Sequence, residues 1–137
     1  MTTEEMADLH ARAFAGLGRG WTAGEFRTFL DNPLVIAVTK PQGIALARVV
    51  AEEAELLTIA CDPLHRRRGI GAAMLREVEG KARARGATRM FLEVAQTNGA
   101  ARCLYARVGY GETAFRAGYY ALPGGGYVDA VIMEKPL

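Results

Sequence analysis

Asp62-Pro63-Leu64-His65-Arg66-Arg67-Arg68-Gly69-Ile70-Gly71-Ala72 is the stretch that decides how the rest of the chain is read. The apolar run before it, Leu56-Leu57-Thr58-Ile59-Ala60-Cys61, predicts a buried strand. After it, Ile70, Met74, Leu75, Val78 and Ala82 recur at helical spacing, and Gly86 is placed to stop that helix. A strand therefore feeds a basic, glycine-bearing loop, and the loop opens a helix. A helix start presents unpaired N–H groups and the positive end of the helix dipole, which suits a phosphate. Gly69 and Gly71 lack a Cβ, so anionic oxygens can approach the backbone, and the arginines add positive charge. The pattern reads as a cradle for a pyrophosphate.

Two familiar cradles do not fit. A P-loop needs Lys-Ser or Lys-Thr after its last glycine, and none is present. A dinucleotide fingerprint needs a third glycine, whereas Gly69-Ile70-Gly71 is followed by Ala72-Ala73-Met74. What does stand here is Arg66-x-x-Gly69-x-Gly71. So short a pattern is also compatible with a basic turn in front of an ordinary helix, and the rest of the chain must choose.

Bulk composition sets the class. The 137 residues are half hydrophobic and 23% charged, with a net charge of +2. That is a globular composition, large enough for a core and expected to form one domain over residues 1–137. The charge balance is too near neutral for a nucleic-acid binder. Only Arg66-Arg67-Arg68 is locally basic, and no aromatic residues interleave with it. No apolar run approaches a membrane span, and the N-terminus lacks a signal peptide's apolar stretch. Cys61 and Cys103 have no CxxC spacing and fall in a strand and a helix, so they are expected as buried free thiols. A cytoplasmic, metal-free protein is the expectation.

Taken in order, Thr2 caps a first helix with Met6, Leu9, Ala13 and Phe14 on one face. Gly16 to Gly20 breaks it. Thr22 and Glu25 form a capping box for a second helix with Phe26, Phe29 and Leu30 inward, and Asn32-Pro33 ends that helix. Trp21, in the break, reads as a hydrophobic staple, with a substrate contact as the alternative. Leu34 to Thr39 and Ile44 to Val50 predict a hairpin around Pro41-Gln42-Gly43. Glu52 to Glu55 reads as a polar turn leading into the strand Leu56 to Cys61. In the following helix, Glu77 with Lys81 and Glu79 with Arg83 are placed on the wet side. Thr88 to Val94 predicts a strand, parallel to the third by a right-handed crossover. Asn98 starts a helix with Ala101, Leu104, Tyr105 and Val108 on one face, and Gly109 ends it. Tyr110 to Arg116 and Tyr127 to Met133 predict a final strand pair, with Tyr119 to Gly126 as a loop.

Two residues, Glu93 and Tyr105, do not behave as packing alone predicts, and Asn98 is to be weighed beside them. Glu93 lies in a strand expected to be covered on both faces, where a carboxylate is costly unless paired, hydrated or used. Its plain alternative is a sheet-end glutamate reaching water or an arginine. Tyr105 falls on an apolar helix stripe, where a core aromatic with a locally satisfied hydroxyl is the alternative. Asn98 is an N-cap by default, and any ligand contact would be additional.

Here a resemblance becomes specific. Leu92-Glu93-Val94, Asn98-Gly99-Ala100-Ala101, Leu104-Tyr105 and Gly109-Tyr110 resemble the LEV-x-x-x-N-x-A-A-x-x-L-Y-x-x-x-G-[FY] block of the Gcn5-related N-acetyltransferase (GNAT) superfamily. Arg66-x-x-Gly69-x-Gly71 is similar to its R/Q-x-x-G-x-G/A motif. Within it the chain looks like the bacterial ribosomal-protein N-terminal alanine acetyltransferases, the RimI type. Arg116-x-x-Tyr119-Tyr120, the glycine-rich loop, Asp129-Ala130-x-Ile132-Met133 and Ile59-Ala60-Cys61-Asp62-Pro63 agree. The likeness is strong from about Leu57 to Leu137 and looser over the first two helices, where Gly20-Trp21-Thr22 stands for Pro-Trp-Ser. Ala95 replaces a frequent arginine, and Gln96-Thr97 also departs from the pattern.

The resemblance implies an α/β (mixed α+β) acyl-CoA N-acyltransferase fold: a mostly antiparallel twisted sheet, a central parallel pair splayed at the cofactor site, and helices on both faces. The family's first strand precedes helix one, and this chain opens at the helix. The sheet is therefore expected to lack that edge strand, unless the sequence is a shortened one. The resemblance further implies acetyl-CoA as co-substrate, without a metal. The backbone of Ile59, Ala60 and Cys61 would pair with the pantetheine arm, and the amides of Arg67, Arg68, Gly69, Ile70, Gly71 and Ala72 would hold the pyrophosphate. Asn98 would contact the cofactor arm, and an N–H near Cys61 would polarise the thioester carbonyl. Glu93 would act as general base through water, and Tyr105 would protonate the departing thiolate.

Three readings follow. One is acetylation of a protein or peptide N-terminus, such as that of a ribosomal protein. An α-amine with pKa about 8 costs roughly 1 kcal/mol to deprotonate at about pH 7, against roughly 5 for a free lysine. A single carboxylate working through water suits the cheaper task. The others are acetylation of a small amine and a non-catalytic acyl-CoA-binding module. Holding both Glu93 and Tyr105 argues against the last.

Overall fold

A computed structural model describes residues 1–66, 68–122 and 124–137. Its first two elements start where the sequence places their caps. Helix α1 (Thr3–Ala13) and helix α2 (Ala23–Asp31) each open on a capping box. The hydroxyls of Thr2 and Thr22 accept from the N–H of Glu5 and Glu25, whose carboxylates accept from the cap N–H groups in return. Trp21 packs on Phe26 with ring centroids 5.3 Å apart, the expected staple.

Strands β1 (Val35–Lys40), β2 (Gly43–Val50) and β3 (Glu53–Cys61) form an antiparallel meander. Helix α3 (Ile70–Ala84) crosses over to β4 (Arg89–Ala95), which pairs parallel with β3 as expected. Helix α4 (Gly99–Val108) and the antiparallel strands β5 (Gly111–Ala121) and β6 (Tyr127–Pro136) complete the order β1-β2-β3-β4-β6-β5. The edges are β1 and β5, and among the described residues no strand stands ahead of α1.

Both faces of the sheet are covered, because its central strands are apolar on both. On one face Met74, Leu75, Val78 and Ala82 of α3 and Tyr105 and Val108 of α4 pack on Met90, Leu92 and Val94. On the other, Met6 and Leu9 of α1 and Phe26 of α2 pack on Ile44, Leu46 and Ala60.

Two features of β3 position the site. It pairs with β4 only at Glu53–Arg89, Ala54–Met90 and Glu55–Phe91, and beyond these the parallel strands part. At the same height β3 carries a bulge: Leu46 lies opposite Thr58 and Ala47 opposite Leu56, which leaves Leu57 unpaired. A bulge bends its strand and resets which face each side chain takes. Ala54 and Leu56 accordingly join the α3/α4 core, whereas Ala60 joins the α1/α2 core.

Four expectations are corrected. The second turn is only Ala51-Glu52, with Ala51 at φ +54°, and β3 begins at Glu53. Tyr119-Tyr120-Ala121 belongs to β5 rather than the loop. There residues 117–119 face the single Asp129, whose carboxylate accepts the Gly118 N–H at 2.9 Å. Glu79 is not on the wet side but buried, because Tyr110 and Lys135 reach it there. Neither cysteine is fully buried: Cys61 is half-buried and Cys103, which α4 turns away from the sheet, is exposed, and both are free.

Candidate active site

Where β3 and β4 part, a cleft of about 380 Å³ opens through the sheet. Thr58, Glu93 and Trp21 line it from the α1/α2 side, and Ala101 and Tyr105 from the α4 side. Past Glu55 the edge of β3 turned toward β4 has no strand to pair with, while its other edge pairs with β2 out to Cys61. Ile59, Ala60 and Cys61 therefore lie along an open backbone edge of the kind that accepts an extended ligand as an added strand.

The chain runs on from the open end of β3 into the start of α3, whose residues do not themselves line the cleft. Gly69 is its N-cap in the left-handed conformation, φ +74°, and provides no side-chain cap. The space where its Cβ would stand is open. The first intrahelical bond runs from the Ala73 N–H to the Gly69 carbonyl, so the amides of Ile70, Gly71 and Ala72 precede it. That uncapped start fits a phosphate. Gly71 also lies close to α4: a Cβ there would come within 3.1 Å of the end of the Leu104 side chain, which would have to give by a few tenths of an ångström. The arginines also divide their tasks. Arg66 donates to the Ala13 carbonyl at 3.2 Å and ties α1 to the loop, while Arg68 lies 3.1 Å from His65 Nδ1. Arg67 lies outside the described residues.

Glu93 alternates along β4 with Leu92 and Val94, which face the α3/α4 core, so its carboxylate turns to the other face. It is half-buried, with Arg116 Nε 3.3 Å from Oε1. The arginine alternative is thus realised in part, yet the carboxylate still lines the cleft. Tyr105 is buried, and burial, then the neighbouring Tyr120, pushes its hydroxyl above the ordinary tyrosine range. Its ring meets Tyr110 edge-on at 5.9 Å. Tyr110 commits its own hydroxyl to Glu79 at 2.7 Å. Tyr120 sits between the two ionisable groups, and its hydroxyl is pushed up to about 12 by burial and then by the charge of Glu93. Asn98 caps α4 by accepting the Ala101 N–H at 3.2 Å and also borders the cleft. Burial raises the Cys61 thiol, as an inert cysteine requires.

The structure thus brings Glu93, Tyr105, Asn98 and Ile59 to one cleft. Sequence reasoning missed His10, which is 1% exposed in the same wall. Its ring stacks on Phe14 and Trp21, at 4.3 and 5.4 Å between centroids. Nδ1 accepts the Trp21 N–H at 3.0 Å, and Nε2 lies 2.8 Å from Thr58 Oγ1. Burial lowers its pKa to about 4. Its signal was a polar residue on the stripe of Met6, Leu9 and Ala13. Among the described residues no group of His, Cys, Asp and Glu side chains is placed to hold a metal ion, and no helix is long and apolar enough to cross a membrane.

A sheet opened between two parallel strands, above a helix that starts uncapped, is the frame of an acyl-CoA N-acyltransferase. The profile of the acetyltransferase (GNAT) family matches residues 4–110, and the chain belongs to that family of acetyl-CoA-dependent N-acetyltransferases. It is 38% identical over 140 residues to the [ribosomal protein bS18]-alanine N-acetyltransferase of Escherichia coli K12, covering 99% of this chain and 93% of the relative. The crystal structure of the ribosomal-protein-S18-alanine N-acetyltransferase from Escherichia coli superposes with a TM-score of 0.82 at 30% identity, over 95% of this chain and 84% of that one. Arabidopsis thaliana NAA60 in complex with acetyl-CoA shares the fold at a TM-score of 0.83 and 18% identity, over 98% and 93% of the two chains.

Proposed function

We propose that residues 1–137 form a single cytoplasmic N-acetyltransferase domain that moves the acetyl group of acetyl-CoA to the α-amine of a protein N-terminus. The acceptor is an alanine-starting ribosomal protein of the bS18 kind, the substrate named for its E. coli relative. The observation that carries the reading is the meeting of Glu93 and Tyr105 in the gap between β3 and β4.

In this reading the pantetheine arm lies along the open edge of Ile59, Ala60 and Cys61. The diphosphate sits on the amides of Arg68, Gly69, Ile70, Gly71 and Ala72, and Asn98 contacts the arm. An N–H near Cys61 polarises the thioester carbonyl. The amine, relieved of its proton through water to Glu93, attacks the carbonyl carbon. The C–S bond breaks, the thiolate takes the proton of Tyr105, and the nitrogen releases its second proton, which returns to the tyrosinate through water. Burial keeps that hydroxyl protonated at neutral pH. The same burial makes a departing thiolate more basic. Cys61 forms no acyl intermediate, because its raised thiol supplies little nucleophile. Positioning of an already activated thioester contributes the remainder.

The test is an acetyl-CoA consumption assay against a panel of N-terminal peptides, with free lysine and small amines as the contrasting class. Alanine-starting peptides should turn over fastest. Preferential turnover of small amines, or none at all, would reject the acceptor assignment.

A further inference from the structure

We propose that Thr58 is a substrate-contacting hydrogen-bond donor on the acceptor side of the cleft, and that His10 is the positioning residue that makes it a donor. The inference rests on the transfer reading above. It begins with the direction of a hydrogen-bond chain. The Trp21 N–H can only donate, so His10 Nδ1 accepts and carries no proton. A neutral ring then holds its proton on Nε2, which donates across 2.8 Å to Thr58 Oγ1. Burial keeps the ring neutral at physiological pH. The oxygen of Thr58 is thereby an acceptor toward α1, and its own hydrogen is left to donate elsewhere. Among the described residues no group receives that hydrogen, and Thr58, 7% exposed, lines the cleft.

The bulge at Leu57 places Thr58 on the α1/α2 face, the face that Glu93 also takes from β4. Across the gap one wall therefore offers a carboxylate and the other a hydroxyl donor. This matches the start of a peptide: an amine that must lose a proton and, one carbon away, a carbonyl oxygen that accepts. Thr58 donates to the carbonyl of the acceptor's first residue while Glu93 serves the amine. A lysine side chain or a simple amine has no carbonyl at that distance, so the pair selects α-amines of peptides over other amines.

The test is steady-state acetylation of an alanine-starting peptide by the full chain at saturating acetyl-CoA. Thr58→Val should raise the peptide KM roughly tenfold more than it changes kcat, the size of one lost hydrogen bond. Thr58→Ser should restore it. A peptide whose first carbonyl oxygen is replaced by sulfur, a weaker acceptor, should raise KM on the wild type and add nothing on Thr58→Val. His10→Leu should raise KM in the wild-type background and add little in a Thr58→Val background, whereas a merely structural histidine costs the same in both. Unchanged KM for Thr58→Val, or the same sulfur penalty on both proteins, overturns the proposal. Should Thr58→Val not fold, a wild type indifferent to the sulfur substitution overturns it equally. A wild type that binds acetyl-CoA but acetylates no peptide removes the transfer reading itself, and this inference with it.

Discussion

Glu93 stands out in the sequence because a carboxylate in a covered strand demands an explanation, and it lines the cleft. Tyr105 on its apolar stripe reads locally as a core aromatic, and only the family resemblance singles it out; it lines the same cleft. If Glu93 takes the amine's proton, Glu93→Gln should lower kcat at neutral pH by roughly a hundredfold. The loss should shrink above about pH 8, where an α-amine deprotonates unaided. A pH–rate profile of both proteins checks this, and parallel profiles would remove Glu93 from the role. Tyr105→Phe should lower kcat while leaving the affinity for acetyl-CoA within about twofold, because the leaving thiolate needs the proton only as the bond breaks. His10 was not legible. A histidine inside a helix has many innocent uses, and its partners, Thr58 and the Trp21 N–H, lie 48 and 11 residues away in the chain. No local pattern holds that information.

At the scale of elements the misreadings share a cause, which is that local pairing rules compete with tertiary ones. The i,i+4 relation to Arg83 predicts a solvent-facing Glu79. Yet Leu75, Val78, Glu79 and Ala82 share one face of α3, and that face is buried. Its charge is tolerated because β6 brings Lys135 Nζ to 2.8 Å and the end of α4 brings the Tyr110 hydroxyl to 2.7 Å. Lys135→Met should leave a buried carboxylate with one neutral partner and destabilise the protein by about 3 kcal/mol. Adding Glu79→Gln should recover much of that. Urea unfolding of the two variants measures it, and a harmless Lys135→Met would show that the ion pair contributes nothing. Strand β5 was cut short for a related reason. Residues 117–119 bulge against Asp129, so the alternation that announces a strand is lost just before Tyr119-Tyr120-Ala121 rejoin β6.

Across the whole molecule, three polar contacts among the described residues join helix α1 to β3 and the segment that follows it. Arg66 donates to the Ala13 carbonyl, Arg12 lies 3.1 Å from Asp62, and His10 bonds to Thr58. The last of these makes the fold sensitive to acid. In the folded chain His10 stays neutral down to about pH 4, against an ordinary value of 6.5 when unfolded. Between those limits the unfolded state binds the extra proton, so stability falls as pH is lowered through this window and stops falling from this cause below it. The full interval corresponds to about 3 kcal/mol. Carboxylates such as Asp62, whose folded pKa is lowered, withdraw their contribution only as pH drops below the ordinary carboxylate range. The upper part of the window, from about pH 6.5 to 5, therefore belongs to the histidine. Denaturant unfolding followed across that range should show a falling midpoint for the wild type and a nearly flat one for His10→Gln. An equal slope in both proteins would mean that His10 is protonated in the native state, and that the hydrogen-bond chain from Trp21 to Thr58 runs differently.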